Sequence, residues 1–158
     1  MSMARLDLSL TDAELHVFLK SHRTIRLATT APDGRPQVIP LWFVWLNDQV
    51  FMNSTLGNVS VGNLQADPRA AGVIDDGETY EALRGVLIHG TVSVADDDPS
   101  INEVEATWSR KYLGGNPIPY RRSKNRVWLR LVPERIASWD FRKIPEAKAR
   151  VRAARGGS

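Results

Sequence analysis

The residues of this 158-residue chain whose types and spacing can do chemistry fall between Val38 and Asn63. Asn53-Ser54-Thr55-Leu56-Gly57-Asn58-Val59-Ser60 brings amides and hydroxyls to what reads as a helix N-terminus. Together they can hold a phosphate, because unpaired helix amides point at an anion there. Upstream, Pro40 interrupts the apolar run Val38 to Leu46, which predicts an edge or bulge with unpaired backbone at that point. Free backbone groups beside Trp42 can meet the polar edge of a flat ring. Plainer readings compete: helix capping accounts for Ser54, Thr55 and Asn58, and core packing for Trp42 and Trp45.

Other chemistries lack their equipment. The chain has no GxSxG elbow, Walker loop, GxGxxG or HExxH motif. Cysteine is absent, which removes disulfides, thiolate metal sites and a cysteine nucleophile. His16 and His22 would not share a helix face and His89 stands alone in a strand, so no histidine metal site is expected. Asp75-Asp76 and Asp96-Asp97-Asp98 fall at strand ends, where turns favour aspartate. An enzyme of this composition would borrow its reactive group from a cofactor.

The elements that must position these residues are legible in pattern. Thr11-Asp12-Ala13-Glu14 is a capping box opening a helix near 12–21. Alternation predicts a strand over 24–31, and Pro32-Asp33-Gly34-Arg35 is a turn. Val38 to Leu46 reads as a strand buried on both faces, followed after Asn47-Asp48 by a strand over 49–53. A short helix near 59–66, a strand over 70–75 and a long strand over 83–95 follow, with Gly85 and Gly90 placed for bulges or bends. Asp98-Pro99 predicts a helix start with proline at its first position, running to about Leu113. Strands over 126–132 and 134–141 and a helix over 145–155 complete the chain. Six or seven closely spaced strands with few intervening helices favour a closed or half-open antiparallel barrel, a mainly β fold with peripheral helices. We read residues 1–145 as a single domain and 146–158 as a basic helix and tail.

Charge divides the chain unevenly. Residues 1–109 hold 7 Lys/Arg against 15 Asp/Glu, and residues 110–158 hold 14 against 3, for a net of +3. The basic end suits an anionic ligand, an acidic face on a second subunit, or simple solvation. Nucleic acid is not expected, since Tyr120, Trp128, Trp139 and Phe141 are accounted for mostly by strand packing rather than base stacking. No signal-peptide core opens the chain and no apolar run spans a bilayer, so a cytoplasmic protein with no membrane partner is expected.

The order DGRPQVIPLWFVW, VFMNST, a glycine turn into a helix ending NLQADPR, then GVIDDG, LRGVLIHGTVSV, KYLGG and RVWLRLVPERIASWDFRK resembles the pyridoxamine 5′-phosphate oxidase-like split-barrel family. It is most similar to the actinobacterial branch that uses flavin mononucleotide (FMN) or the deazaflavin coenzyme F-420. The resemblance covers roughly residues 24–143. It implies a six-stranded split β-barrel, a homodimer with two cofactor sites at its interface, and hydride transfer to a small conjugated or heteroaromatic substrate. It also implies a ring lying along Val38, Ile39, Pro40 and Trp42. Phosphate would be held by Asn53, Ser54, Thr55, Asn58 and Ser60, with Asn63 and Leu64 matching the helix's usual NL. Trp139 would reach toward the other subunit's site. No side chain is implied as a catalytic acid.

One departure stands out. Relatives commonly carry basic residues where this chain has Asn58, Ser60 and Gly62. Arg121, Arg122, Lys124 or Arg126 could restore that charge, from the same or the partner subunit. The long basic segment favours F-420, whose tail is anionic, over FMN, which asks for one tight phosphate pocket. A non-catalytic barrel that binds some other ligand is the alternative reading.

Overall fold

Turn chemistry and alternation build the barrel hairpin by hairpin. The computed structural model describes residues 6–119 and 125–156. Helix α1 (Asp12–Ser21) starts on the expected box: Thr11 Oγ1 accepts from the Glu14 amide, and the Glu14 carboxylate accepts from the Thr11 amide at 2.7 Å. Strands β1 (Thr24–Thr30), β2 (Pro36–Leu46), β3 (Gln49–Thr55), β4 (Arg69–Asp76), β5 (Arg84–Val94) and β6 (Arg126–Asp140) are all antiparallel to their neighbours. Their order, β1-β2-β3-β6-β5-β4 with β4 returning to β1, closes a six-stranded barrel. Asn47 and Asp48 both take positive φ, 51° and 57°, the two-residue turn whose twist matches a tight hairpin.

Two apolar clusters hold the fold. One fills the barrel with Phe43, Met52, Ile88, Leu129 and their neighbours, and α1 adds Phe18 and Leu19 to it. The other lies outside the barrel, where α3 (Ile101–Tyr112) lays Val104 and Trp108 over Val44, Phe51 and Trp128. Helix α2 (Val59–Ala66) is tied to β1 and β2 by Asn63, whose Nδ2 donates to Thr29 Oγ1 at 3.1 Å and Gln37 Oε1 at 2.9 Å. Helix α4 (Ile144–Gly156) buries Ala147.

Three expectations are corrected. Strand β2 is not buried on both faces: α3 covers only its Val44 end, and Val38 and Trp42 remain 59% and 49% exposed. The two strands expected over 126–132 and 134–141 are one, because β6 absorbs Glu134 as a bulge and stays paired with β5 on both sides of it. The register slips between His89 and Gly90, and Gly90 faces Pro133. A Cβ at Gly90 would lie 2.0 Å from the Val132 carbonyl oxygen, so a side chain there would displace backbone. Helix α3 begins at Ile101, not beside Pro99. The Asp98 carboxylate accepts from the Ser100 amide at 2.9 Å and Arg130 Nη1 at 2.6 Å, so it belongs to a turn before the helix.

The acidic pairs serve structure, as their positions suggested. Asp75 pairs with Arg26, Asp76 with Arg84, and Asp96 accepts from the Trp128 amide. Among the described residues, no group of three or more His, Cys, Asp or Glu is placed to hold a metal ion, and no helix is long and apolar enough to cross a membrane.

Candidate functional site

The barrel is split along one seam. Strand β2 pairs with β3 only from Phe43↔Met52 to Leu46↔Gln49. Beyond that point, β2 continues along β1 to Pro36, while β3 leaves with β6, from Asn53↔Trp128 to Thr55↔Arg126. Among the described residues, one edge of 36–42 therefore has no ladder partner, and it lies across the seam from Asn53, Ser54 and Thr55. Pro40 sits within that edge and needs no bulge there, since an edge strand tolerates its missing donor.

Alternation along β2 sorts the residues of the edge. Gln37, Ile39 and Leu41 turn inward and are half-buried, whereas Val38, Pro40 and Trp42 are exposed on the outer face. Trp42 stacks on Tyr112 of α3, with ring centroids 4.4 Å apart and planes 6° from parallel. Tyr112 is held in turn by the Phe43 backbone, whose amide donates to its hydroxyl at 3.1 Å. The hydroxyl lies 2.6 Å from the Phe43 carbonyl oxygen and 2.7 Å from that of Arg23, so one proton is shared between the two. Burial pushes the Tyr112 phenol up to about 12, so it stays a neutral prop for Trp42 at ordinary pH.

On the other side of the seam, the end of β3 leads into α2. Asn58 occupies the N-cap position, but its side chain does not cap the helix; Nδ2 donates instead to Ser54 Oγ at 3.2 Å. The amides of Val61 and Gly62 turn back to the Asn58 carbonyl, at 3.0 and 3.2 Å. Among the described residues, no acceptor meets the amides of Val59 and Ser60. The Ser60 hydroxyl is also buried without a partner. A buried hydroxyl left unpaired costs about 1–3 kcal/mol, so this is the kind of place where a ligand oxygen is expected.

A cation stands next to the end of β3. The Thr55↔Arg126 pairing brings the Arg126 guanidinium onto β3, where Nε donates to Asn53 Oδ1 at 2.7 Å and Nη1 to Thr55 Oγ1 at 3.2 Å. Arg126 was one of four candidates for this part; Arg121, Arg122 and Lys124 lie outside the described residues. The register that places Arg126 here depends on where β6 begins, which residue types do not fix.

Of the sequence-predicted site residues, the structure brings Val38, Ile39, Pro40 and Trp42 to one lip of the seam and Asn53, Ser54, Thr55, Asn58 and Ser60 to the other. Asn63 lies between them as the tie to Thr29 and Gln37. Trp139 is not at this seam. Its ring packs over Gly85 of its own chain, so closely that a Cβ on Gly85 would come 2.3 Å from the indole. Tyr112 was missed, and the stretch KYLGG that ends α3 was its signal.

Comparison with known proteins agrees with this architecture. A conserved hypothetical protein from Mycobacterium tuberculosis is 29% identical, with a TM-score of 0.79, over 91% of this chain and 93% of that one. An F-420 reductase is 24% identical over 77% of this chain and 94% of its own, with a TM-score of 0.61. The FAD-binding protein from Mycobacterium smegmatis is 22% identical over 84% and 98%, with a TM-score of 0.62. No curated protein matches the chain. The family model described as pyridoxamine 5′-phosphate oxidase matches residues 11–140, from the start of α1 to the end of β6, and the chain belongs to that family.

Proposed function

We propose that this protein binds a flavin-type cofactor along the split seam and uses it in an oxidoreductase reaction on a small conjugated or heteroaromatic substrate. The observation that carries the reading is the opposition across the seam of an unpaired strand edge and a helix N-terminus with two open amides, a buried orphan hydroxyl and a neighbouring arginine. Val38, Ile39, Pro40 and Trp42 would lie along the ring. The amides of Val59 and Ser60, with Asn53, Ser54, Thr55, Asn58 and Arg126, would hold a phosphate.

When bound, the cofactor supplies hydride exchange, chemistry that no side chain here provides. The chain's own part is positional. The edge of β2 offers amides and carbonyls to a ring's polar rim, the stacked Trp42–Tyr112 pair excludes water from one side, and Arg126 neutralises an anionic tail. Solved structures described as an F-420 reductase and as FAD-binding proteins share the fold and support a cofactor of this type. Between F-420 and FMN the basic C-terminal portion favours F-420, with Arg121, Arg122 and Lys124 as further contacts to its longer anionic tail.

We place two such sites in a homodimer. Val132 and Ile136 on β6, with Val38 and Trp42 on β2, are large apolar side chains left exposed on the barrel, as a subunit interface requires. Light scattering should return twice the 17.6 kDa chain mass.

Titration of cofactor-free protein with FMN and with F-420, followed by fluorescence, tests the cofactor. Saturable micromolar binding of one and not the other identifies it. Changing Arg121 and Arg122 together to Ala should weaken binding of F-420 more than that of FMN. The absence of any cation within α2 favours a second reading, a barrel that binds an uncharged ligand without catalysis. Failure of both titrations would put that reading first.

A further inference from the structure

One cavity of the molecule is lined by none of the seam residues. A cavity of about 460 Å³ opens between the end of α1, the Val44–Leu46 end of β2 and the outer turns of α3. Three cations line it, Lys20, Arg110 and Lys111, against the single carboxylate of Glu103. Among the described residues, Glu103 makes no ion pair with any of them. One wall is apolar, made by Val44, Trp45 and Leu46. The volume falls within the range of small-molecule sites, and an apolar wall facing a few convergent polar groups is their usual make-up.

Lys111 is the unusual member. It is half-buried, its Nζ lies 4.3 Å from the Phe43 ring centroid, and it donates one proton to the Phe43 carbonyl at 3.1 Å. An ammonium has three protons to give, and among the described residues no carboxylate takes the other two. Burial, with the nearby Arg23 adding repulsion, lowers its pKa to about 8. An ammonium held partly out of water without a counter-ion is costly, and an anion in the cavity would remove that cost. Trp45 also borders the cavity, with its buried side chain in the barrel cluster and its ring edge-on to His16 at 6.0 Å. A purely structural role for Lys111, bracing the Phe43 backbone, uses only one of its three protons.

We propose that this cavity binds a small organic carboxylate with a flat apolar body. The carboxylate would sit on Lys111 Nζ, with Lys20 and Arg110 supplying further positive charge, and the body would rest against Val44, Trp45 and Leu46. The site is separate from the seam and does not depend on which cofactor occupies that seam. It is nevertheless linked to it through one residue. The Phe43 carbonyl that holds Lys111 also holds Tyr112, on which Trp42 stacks.

The test follows the Trp45 indole N–H resonance in nitrogen-15 spectra of the full chain during titration with benzoate, and separately with benzamide, which has the same shape and no charge. Benzoate should shift that resonance saturably, and benzamide should bind at least tenfold more weakly. Lys111→Met should weaken benzoate at least tenfold, the loss expected of one charge-assisted hydrogen bond. Lys20→Glu, at an exposed helix position that tolerates change, should weaken it as well and guards against a folding defect in the first variant. Equal binding of benzamide would overturn the proposal. So would benzoate shifts confined to the Trp42 indole at the seam, or unaltered benzoate affinity in Lys20→Glu together with a folded Lys111→Met.

Discussion

Strand β2 has two halves of nearly the same composition and opposite fates. Phe43-Val44-Trp45 is buried on both faces, inside the barrel and under α3. Val38 to Trp42 is as apolar, yet its outer face is bare and one of its edges is unpaired. The difference comes from outside the strand. Helix α3 reaches only as far as Tyr112 against Trp42, and β3 turns away toward β6 after Met52. Apolar content along a strand therefore does not say which stretch its own chain covers.

The largest expected effect sets the two halves against each other. Trp108 is 2% exposed over Trp128 and Val44, and Trp108→Ala should cost about 3–5 kcal/mol in denaturant unfolding. Trp42→Ala removes only a stacked, half-exposed partner and should cost under about 1.5 kcal/mol. It should instead weaken cofactor binding. Equal losses of stability in the two variants would break the comparison and make the bare half a part of the core.

Arg126→Ala comes next. It leaves the barrel clusters untouched, so its main effect should be on cofactor affinity. Loss of one charge-assisted hydrogen bond to phosphate is worth about 1.5–3 kcal/mol, or roughly tenfold to a hundredfold in the dissociation constant. Unaltered affinity for both FMN and F-420 would take Arg126 out of the site.

Much of this was legible in residue types, for reasons that differ between the halves. The box at Thr11–Glu14, the Asn47-Asp48 turn and the alternation of Val127, Leu129 and Leu131 are local signals, and each element formed where it was expected. The open outer face of β2 was not legible, because Val38 and Trp42 are the residue types a buried strand also uses. The continuity of β6 was hidden by Pro133, beside which Glu134 bulges while the strand keeps its pairing with β5. At the site, the hydroxyls and amides of 53–60 were readable as a helix entry. The placement of Arg126 beside Asn53 and Thr55 depended on strand register, a long-range property that spacing does not encode.

Ser60 allows a finer cut. Its hydroxyl is buried and unpaired in the described structure, so Ser60→Ala should raise the stability of the cofactor-free protein by about 1 kcal/mol. The same change should weaken cofactor binding if the orphan hydroxyl serves the site. A loss of stability without cofactor would show that the hydroxyl already has a partner, and would remove it from the argument for a phosphate site.

The smallest effect belongs to the covered half and is read by pH. Below about 8, Lys111 is protonated in both folded and unfolded chains. Between about 8 and the ordinary 10.5, only the unfolded chain keeps that proton, so unfolding takes up a proton and stability rises with pH. Wild type should therefore gain urea stability relative to Lys111→Met between pH 8 and 10. Above pH 10, Tyr112 works the other way, since the unfolded phenol ionises at its usual value while the folded one holds its proton to about 12. The Lys111→Met variant keeps Tyr112, so the difference between the two proteins isolates the lysine. A flat difference from pH 7 to 10 would mean that solvent reaches the ammonium freely, and that α3 covers this end of β2 less tightly than its packing on Phe43 implies.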